Sequence, residues 1–150
     1  METTKEIKLM ELQGRLLEER KLENGLTVYF YDQSRPIVGD RCQVQLLIHV
    51  DLEIKESYFE KWLDPASAYE GCIAAFGRQI PFQQQKVRNF INNSDAEAVV
   101  QKMKEEFLES GLAYFLKPQF AKNYVIKRYS EWEQETACRI AHNEAIRRAN

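Results

Sequence analysis

The stretch from Arg41 to Ile54 constrains the fold most, because its side chains alternate between two chemical classes. One side of an extended chain is wholly apolar here, and the other side carries mostly polar groups. This period of two predicts a β-strand with one buried face. A strand buried on both faces would be apolar throughout, so the pattern favours an antiparallel sheet that is covered by helices on one face only.

A β-hairpin is predicted upstream of this strand. The pair Asn24-Gly25 favours the positive φ angles of a two-residue turn, and Leu26 to Tyr31 is rich in β-branched and aromatic residues. The first strand, Leu16 to Leu22, is heavily charged, as edge strands often are. A helix through Leu9, Leu12 and Leu16 is the alternative for this region, although Gly14 disfavours it.

Three helices are predicted farther along the chain. Asp64-Pro65 is typical of a helix start, and Gly77 of a helix end. Ser94 to Glu97 matches a capping box, which predicts a second helix from that point. Lys117-Pro118 ends that helical region, and the spacing from about Phe120 to the end of the chain predicts a long final helix.

A fourth strand is predicted over Ile80 to Ile91. Its apolar positions change phase between Phe82 and Val87, as a β-bulge requires. One helical turn through Val87, Phe90 and Ile91 is the alternative.

Composition limits the class of protein. The chain has 150 residues, of which 44% are hydrophobic, and a formal net charge of -2. These values predict a single α+β domain over residues 1–150, with residues 1–14 as a loosely attached segment. The charge implies no general attraction to nucleic acid or to anionic membranes.

The cysteines and the absence of long apolar runs bear on location. Cys42, Cys72 and Cys138 show no Cys-x-x-Cys spacing, which favours reduced thiols in the cytoplasm. The sequence shows neither a secretory leader nor a run long enough for a transmembrane helix, so we expect a cytoplasmic protein without a membrane partner.

Three segments resemble a group of bacterial proteins of unknown function. They are Leu22 to Thr27, Asp32 to Arg41, and Arg88 to Ile91. The resemblance implies a compact bacterial cytosolic protein and supplies no activity. This chain departs from the group at Cys42, where tryptophan is more usual.

The outward face of the predicted sheet is the main candidate for an interaction surface. Tyrosine rings and side-chain amides on neighbouring strands suit protein recognition. The candidate residues are Tyr29, Tyr31, Gln43, Gln45, Leu47 and His49. An ordinary half-exposed sheet face explains the same pattern equally well.

Two basic segments are alternative candidates for binding an anion. Arg35 and Arg41 flank a loop, and a guanidinium group suits carboxylate or phosphate. Lys122, Lys127 and Arg128 alternate with aromatic residues, a pattern seen in nucleic-acid grooves and in ordinary amphipathic helices.

Signals for catalysis or metal binding are few. His49 and Asp51 lie two residues apart on one strand face, but no nucleophile accompanies them. Cys138 and His142 are spaced for one metal ion on a helix, yet two ligands do not make a site. No catalytic residue, metal or cofactor is therefore assigned.

We expect a non-enzymatic protein-interaction module with a four-stranded, mainly antiparallel sheet and helices on one face. Its partner would be a second copy, forming a homodimer through the open sheet face, or another protein. Binding of nucleic acid or a small anion through residues 117–129 or 32–41 is the alternative.

Overall fold

The computed structural model describes residues 14–149, in which five strands form one sheet and four α-helices accompany it. The strands are β1 (Arg15–Lys21), β2 (Thr27–Asp32), β3 (Arg35–Pro36), β4 (Arg41–Glu53) and β5 (Gln79–Asn92). The helices are α1 (Pro65–Phe76), α2 (Ala96–Ser110), α3 (Leu112–Leu116) and α4 (Phe120–Ala149). Short 3-10 turns cover Glu56–Phe59 and Asn93–Asp95. The predictions for residues 1–13 lie outside the described residues.

Strands β2 and β3 behave as one strand. Both pair antiparallel with β4, and the pairs from Val28↔Val50 to Pro36↔Cys42 keep a single register. Between them, the Gln33 amide N–H donates to the Gln45 carbonyl. The sheet is therefore four strands wide in effect, in the order β1, β2 with β3, β4, β5, in agreement with the four strands predicted.

One face of the sheet carries the core. In β4, Val44, Leu46 and Ile48 are fully buried, which confirms the predicted inward side. Aromatic contacts cover this face from α2 and α3: Phe30 packs edge-on against Phe107, with ring centroids 5.7 Å apart. The α+β class and the antiparallel sheet are confirmed.

The first hairpin turn is longer than predicted. Lys21 pairs with Thr27, and the Leu22 amide donates to the Leu26 carbonyl, so three residues rather than two form the loop. Gly25 takes the left-handed conformation at φ 88° that such loops require. The extra residue places Lys21 opposite Thr27 instead of the apolar Val28.

The start of α1 agrees with the prediction from sequence, whereas the start of α2 differs from it. At α1, the Asp64 carboxylate accepts from the Ser67 amide, as predicted for an N-cap. At α2, Asp95 is the N-cap and makes no side-chain capping bond, so the predicted capping box from Ser94 to Glu97 is wrong. The Glu97 carboxylate instead accepts hydrogen bonds from Arg15 and Gln101.

The described chain divides into two compact units. The first contains residues 14–51 and 81–117, and the second contains residues 52–80 and 118–149. In the second unit, Phe59, Tyr129 and Trp132 form an aromatic cluster between the Glu56–Phe59 turn and α4. Within residues 14–149, no helix is both long and apolar enough to span a membrane.

Candidate functional site

In strand β5, the backbone N–H and C=O groups of every second residue point away from the sheet. Side-chain bonds join Gln43 to Asn89 and His49 to Gln83, and these contacts run in opposite directions along the two strands. Continuing this register, the Ile54 amide donates to the Arg78 carbonyl. Even-numbered residues of β5 therefore bond to β4, and the N–H and C=O groups of odd-numbered residues point away from it.

The outward edge is exposed over a long segment. Among the described residues, β4 is the pairing partner of β5, and all eight residues from Gln83 to Phe90 are exposed. Lys86 and Arg88 are the charged residues of β5, and the strand has no acidic residue. Lys86 lies over the Phe107 ring, 5.4 Å from its centroid. Within residues 14–149, neither cation forms an ion pair.

Two groups of hydrogen-bonded side-chain amides hold β5 against the rest of the sheet on the outer face. Gln33 Oε1 accepts from Gln45 Nε2 at 2.7 Å and from Gln85 Nε2 at 3.2 Å. Gln43 donates to Asn89 Oδ1 at 2.8 Å and accepts from Arg35 Nε at 3.1 Å. We call the five residues Gln33, Gln43, Gln45, Gln85 and Asn89 the amide network.

The six residues predicted as an interaction surface lie on this outer face, but half of them are not accessible. Tyr31, Leu47 and His49 are only 8%, 2% and 7% exposed, which corrects the expectation of an open surface. Leu47 lies opposite Tyr31, so large neighbouring side chains cover it. Tyr29, Gln43 and Gln45 are half-buried. Burial raises the pKa values of both tyrosines.

His49 and Asp51 form the predicted pair. His49 Nε2 lies 2.8 Å from Asp51 Oδ1, and Gln83 Nε2 lies 3.0 Å from His49 Nδ1. Since an amide nitrogen only donates, the tautomer with its proton on Nε2 satisfies both contacts. Both ring nitrogens are thus occupied, which makes the pair a link between β4 and β5 rather than a base open to a substrate.

A β-bulge interrupts β5 at Phe90. The Asn93 amide donates to the Asp40 carbonyl, one residue farther along the chain than the upstream register requires. Phe90 has φ 57°, in the left-handed region that a bulge of this type normally fills with glycine. Its side chain is nevertheless 70% exposed. The bulge predicted between Phe82 and Val87 is wrong in position, because one register runs unbroken from Gln83 to Asn89. Val87 instead faces outward on the regular strand and is 45% exposed.

The two candidate anion-binding segments belong to different units. Arg35 and Arg41 belong to the first unit, where Arg41 lies 3.8 Å from Asp40. Three belong to the second unit: Lys122, Lys127 and Arg128. Of these, Lys122 pairs with Glu60 and Arg128 with Glu131 and Glu135, whereas Lys127 is exposed.

The cysteines and the other potential metal ligands form neither a metal site nor a catalytic site among the described residues. Among residues 14–149, no three His, Cys, Asp or Glu side chains are grouped so as to hold a metal ion. Cys138 is exposed, while burial, followed by the charge of Glu133, raises the pKa of Cys72 to about 11. A shallow cleft of about 440 Å³ in the second unit is lined by Glu53, Tyr69, Glu70 and Arg78, among others.

Sequence reasoning missed the residues of the β5 side of this surface. Gln83, Gln85 and Asn89 alternate with Gln84, Lys86 and Arg88, but both sets are polar. The pattern therefore lacks the apolar side that marks a strand's inward face. No local signal in the sequence places these three side chains on the outer face.

Comparison with known proteins gives no further guide, because no protein-family model, curated protein or solved structure matches the chain.

Proposed function

We propose that this protein is a non-enzymatic interaction module that binds an extended segment of another protein as an additional strand along β5. The observation that carries the proposal is the exposed run from Gln83 to Phe90 on the outer edge of the sheet. Its outward N–H and C=O groups are those that strand addition uses, and proteins usually cover or interrupt such edges.

The positive charge of β5 indicates which class of partner it would bind. Lys86 and Arg88 make the β5 edge basic, with no acid on the same strand. An acidic extended segment would complement them across the new strand pair. A second copy pairing through β5 would instead bring like charges together. We therefore propose an acidic segment of a different protein as the partner.

Pre-organisation also supports the proposal. Besides its backbone pairing with β4, β5 is tied by side chains to β4 and to Gln33, which lies between β2 and β3. An edge that is already fixed loses little conformational freedom when a partner strand pairs with it. The outer-face residues predicted from the sequence thus lie beside this edge and help to hold it in place. Of these residues, Tyr29, Gln43 and Gln45 are half-buried and the other three are buried.

The other functions have less support. A homodimer through the sheet face would use Tyr31, Leu47 and His49, which are buried. Binding of nucleic acid or a small anion would use arginines and lysines of which several already face acidic side chains. We further propose that the module acts in the cytoplasm, which the three free thiols favour.

The test is a selection of peptides from a random dodecapeptide display library on the intact, immobilised chain. We expect enriched peptides with acidic residues at alternating positions and few prolines. Val87→Pro removes an outward N–H without removing a bond to β4, and the strand already holds Pro81 at an equivalent position. This variant should bind the selected peptides at least about tenfold more weakly. Val87→Thr keeps the N–H and is the matched control.

Four results would contradict the proposal. One is a library that yields no enriched peptide on the wild-type chain, and another is an enriched pool that is basic rather than acidic. Equal binding by Val87→Pro and Val87→Thr would show that the edge is not used. A wild-type dimer in sedimentation velocity that Val87→Pro converts to a monomer would assign the edge to a second copy instead.

A further inference from the structure

We infer that Phe90 is the anchoring residue of this edge, and that the acidic partner segment carries an apolar side chain at the end that meets it. The inference rests on the proposed function, since it assigns the partner's chemistry at one end of β5. It assigns a role to a side chain that the fold itself does not use.

The backbone at Phe90 is the first argument. All other positive φ angles among the described residues belong to glycines: Gly14, Gly25, Gly39 and Gly77. A side chain in this conformation clashes with its own backbone, so a phenylalanine there lowers stability relative to glycine or asparagine. Strain of this kind persists where function requires the side chain.

Exposure is the second argument. Phe90 is 70% exposed as a whole residue, so its side chain gains little from burial within its own chain. No aromatic ring among the described residues stacks on it. The strain is therefore not offset by packing in the isolated protein, and a partner that covers the ring would supply the missing burial.

The position of Phe90 is the third argument. It ends the exposed run, two residues after Arg88 and three after the half-exposed Val87. An aromatic anchor beside an arginine is the composition that most often dominates the binding energy of an interface. The bulge also stops the regular edge there, so a bound strand would end at the ring.

The experiment repeats the peptide selection on wild type and on Phe90→Asn, which keeps a residue that tolerates positive φ. On wild type we expect an aliphatic or aromatic residue at one end of the acidic stretch. That end is the amino end if the partner runs antiparallel to β5, and the carboxyl end if it runs parallel. On Phe90→Asn the acidic alternation should remain and the end preference should disappear. Wild-type peptides should bind this variant at least about tenfold more weakly.

Stability and a control variant complete the design. The urea midpoint of Phe90→Asn and of Phe90→Gly should equal or exceed that of wild type, because both relieve the strain. Leu63→Ser, which changes a fully exposed apolar residue in the second unit, should leave peptide binding unchanged.

The outcomes separate the two proposals. If no peptide is enriched on wild type, the proposed function fails. If acidic peptides are enriched but show no apolar end, or bind Phe90→Asn as well as wild type, the anchor fails while strand addition stands. A lower urea midpoint for both Phe90 variants would also overturn the inference, since it would give the ring a structural role.

Discussion

Replacing Gly71 by alanine tests the packing of α1 against α4 directly. A Cβ at this position would lie 2.6 Å from Tyr129 Oη, closer than carbon and oxygen approach, and 3.6 Å from Tyr129 Cζ, an ordinary contact. The only severe clash is thus with one hydroxyl group. Tyr129 is itself only 7% exposed and stacks on Trp132, so its ring has little room to move.

Two opposing effects determine how much Gly71→Ala changes the free energy of unfolding. Glycine to alanine inside a helix normally stabilises by about 0.5–1 kcal/mol, because the unfolded chain loses freedom. Overpacking a filled interior costs about 1–3 kcal/mol. We expect Gly71→Ala to lower the free energy of unfolding by about 1 kcal/mol. With Tyr129→Phe already present the hydroxyl is gone, and the same change should raise it by about 0.5 kcal/mol.

Urea denaturation of the four proteins in this double-mutant cycle, followed by tryptophan fluorescence, measures both values. Both tryptophans, Trp62 and Trp132, lie in the same unit as the substitution. The coupling energy between the two sites should be at least about 1 kcal/mol. A Gly71→Ala variant more stable than wild type, or a coupling below about 0.5 kcal/mol, would refute the reasoning.

Two further predictions concern titratable groups. With a thiol reagent at pH 8, Cys138 should react rapidly, whereas the two buried cysteines should react slowly. Denaturation should make the reaction rates of all three equal. Rapid labelling of Cys72 in the folded protein would contradict its burial and its raised pKa. For Asp32, burial opposes ionisation, but hydrogen bonds from Ser34 and Arg15 prevail and lower its pKa. Its contribution to stability is therefore full above the unfolded-state pKa and is lost as the pH falls through the lower folded-state pKa. Asp32→Asn should cost about 1 kcal/mol at pH 7 in urea denaturation and progressively less toward pH 2, and an equal cost at both pH values would contradict this assignment.

Most strands and helices were predictable because each depends on local pattern, whereas the two-residue β3 and the separate short helix α3 were not predicted. The alternation in β4 identified its inward side, and Asp64-Pro65 identified the start of α1. The parts that sequence missed depend on residues distant along the chain. The capping box failed because Arg15, from the first strand, holds the Glu97 carboxylate. The length of the first turn followed from the register of its two strands.

The candidate site was predictable only in part for the same reason. The outward side chains of β2 and β4 follow from the alternation, whereas their burial depends on β5, whose polar sequence gives no inward side. Leu47 is covered because Tyr31 and the amide network surround it. The strained position of Phe90 follows from a one-residue offset between β5 and β4 that no local pattern encodes.

Strand β4 bonds to β2 through its odd-numbered residues and to β5 through its even-numbered ones. Deleting a single residue within it would turn the aliphatic side chains outward and exchange the two sets of backbone bonds at once. Related chains should therefore differ in length at the hairpin tip from Ile37 to Asp40, and almost never between Cys42 and Leu52.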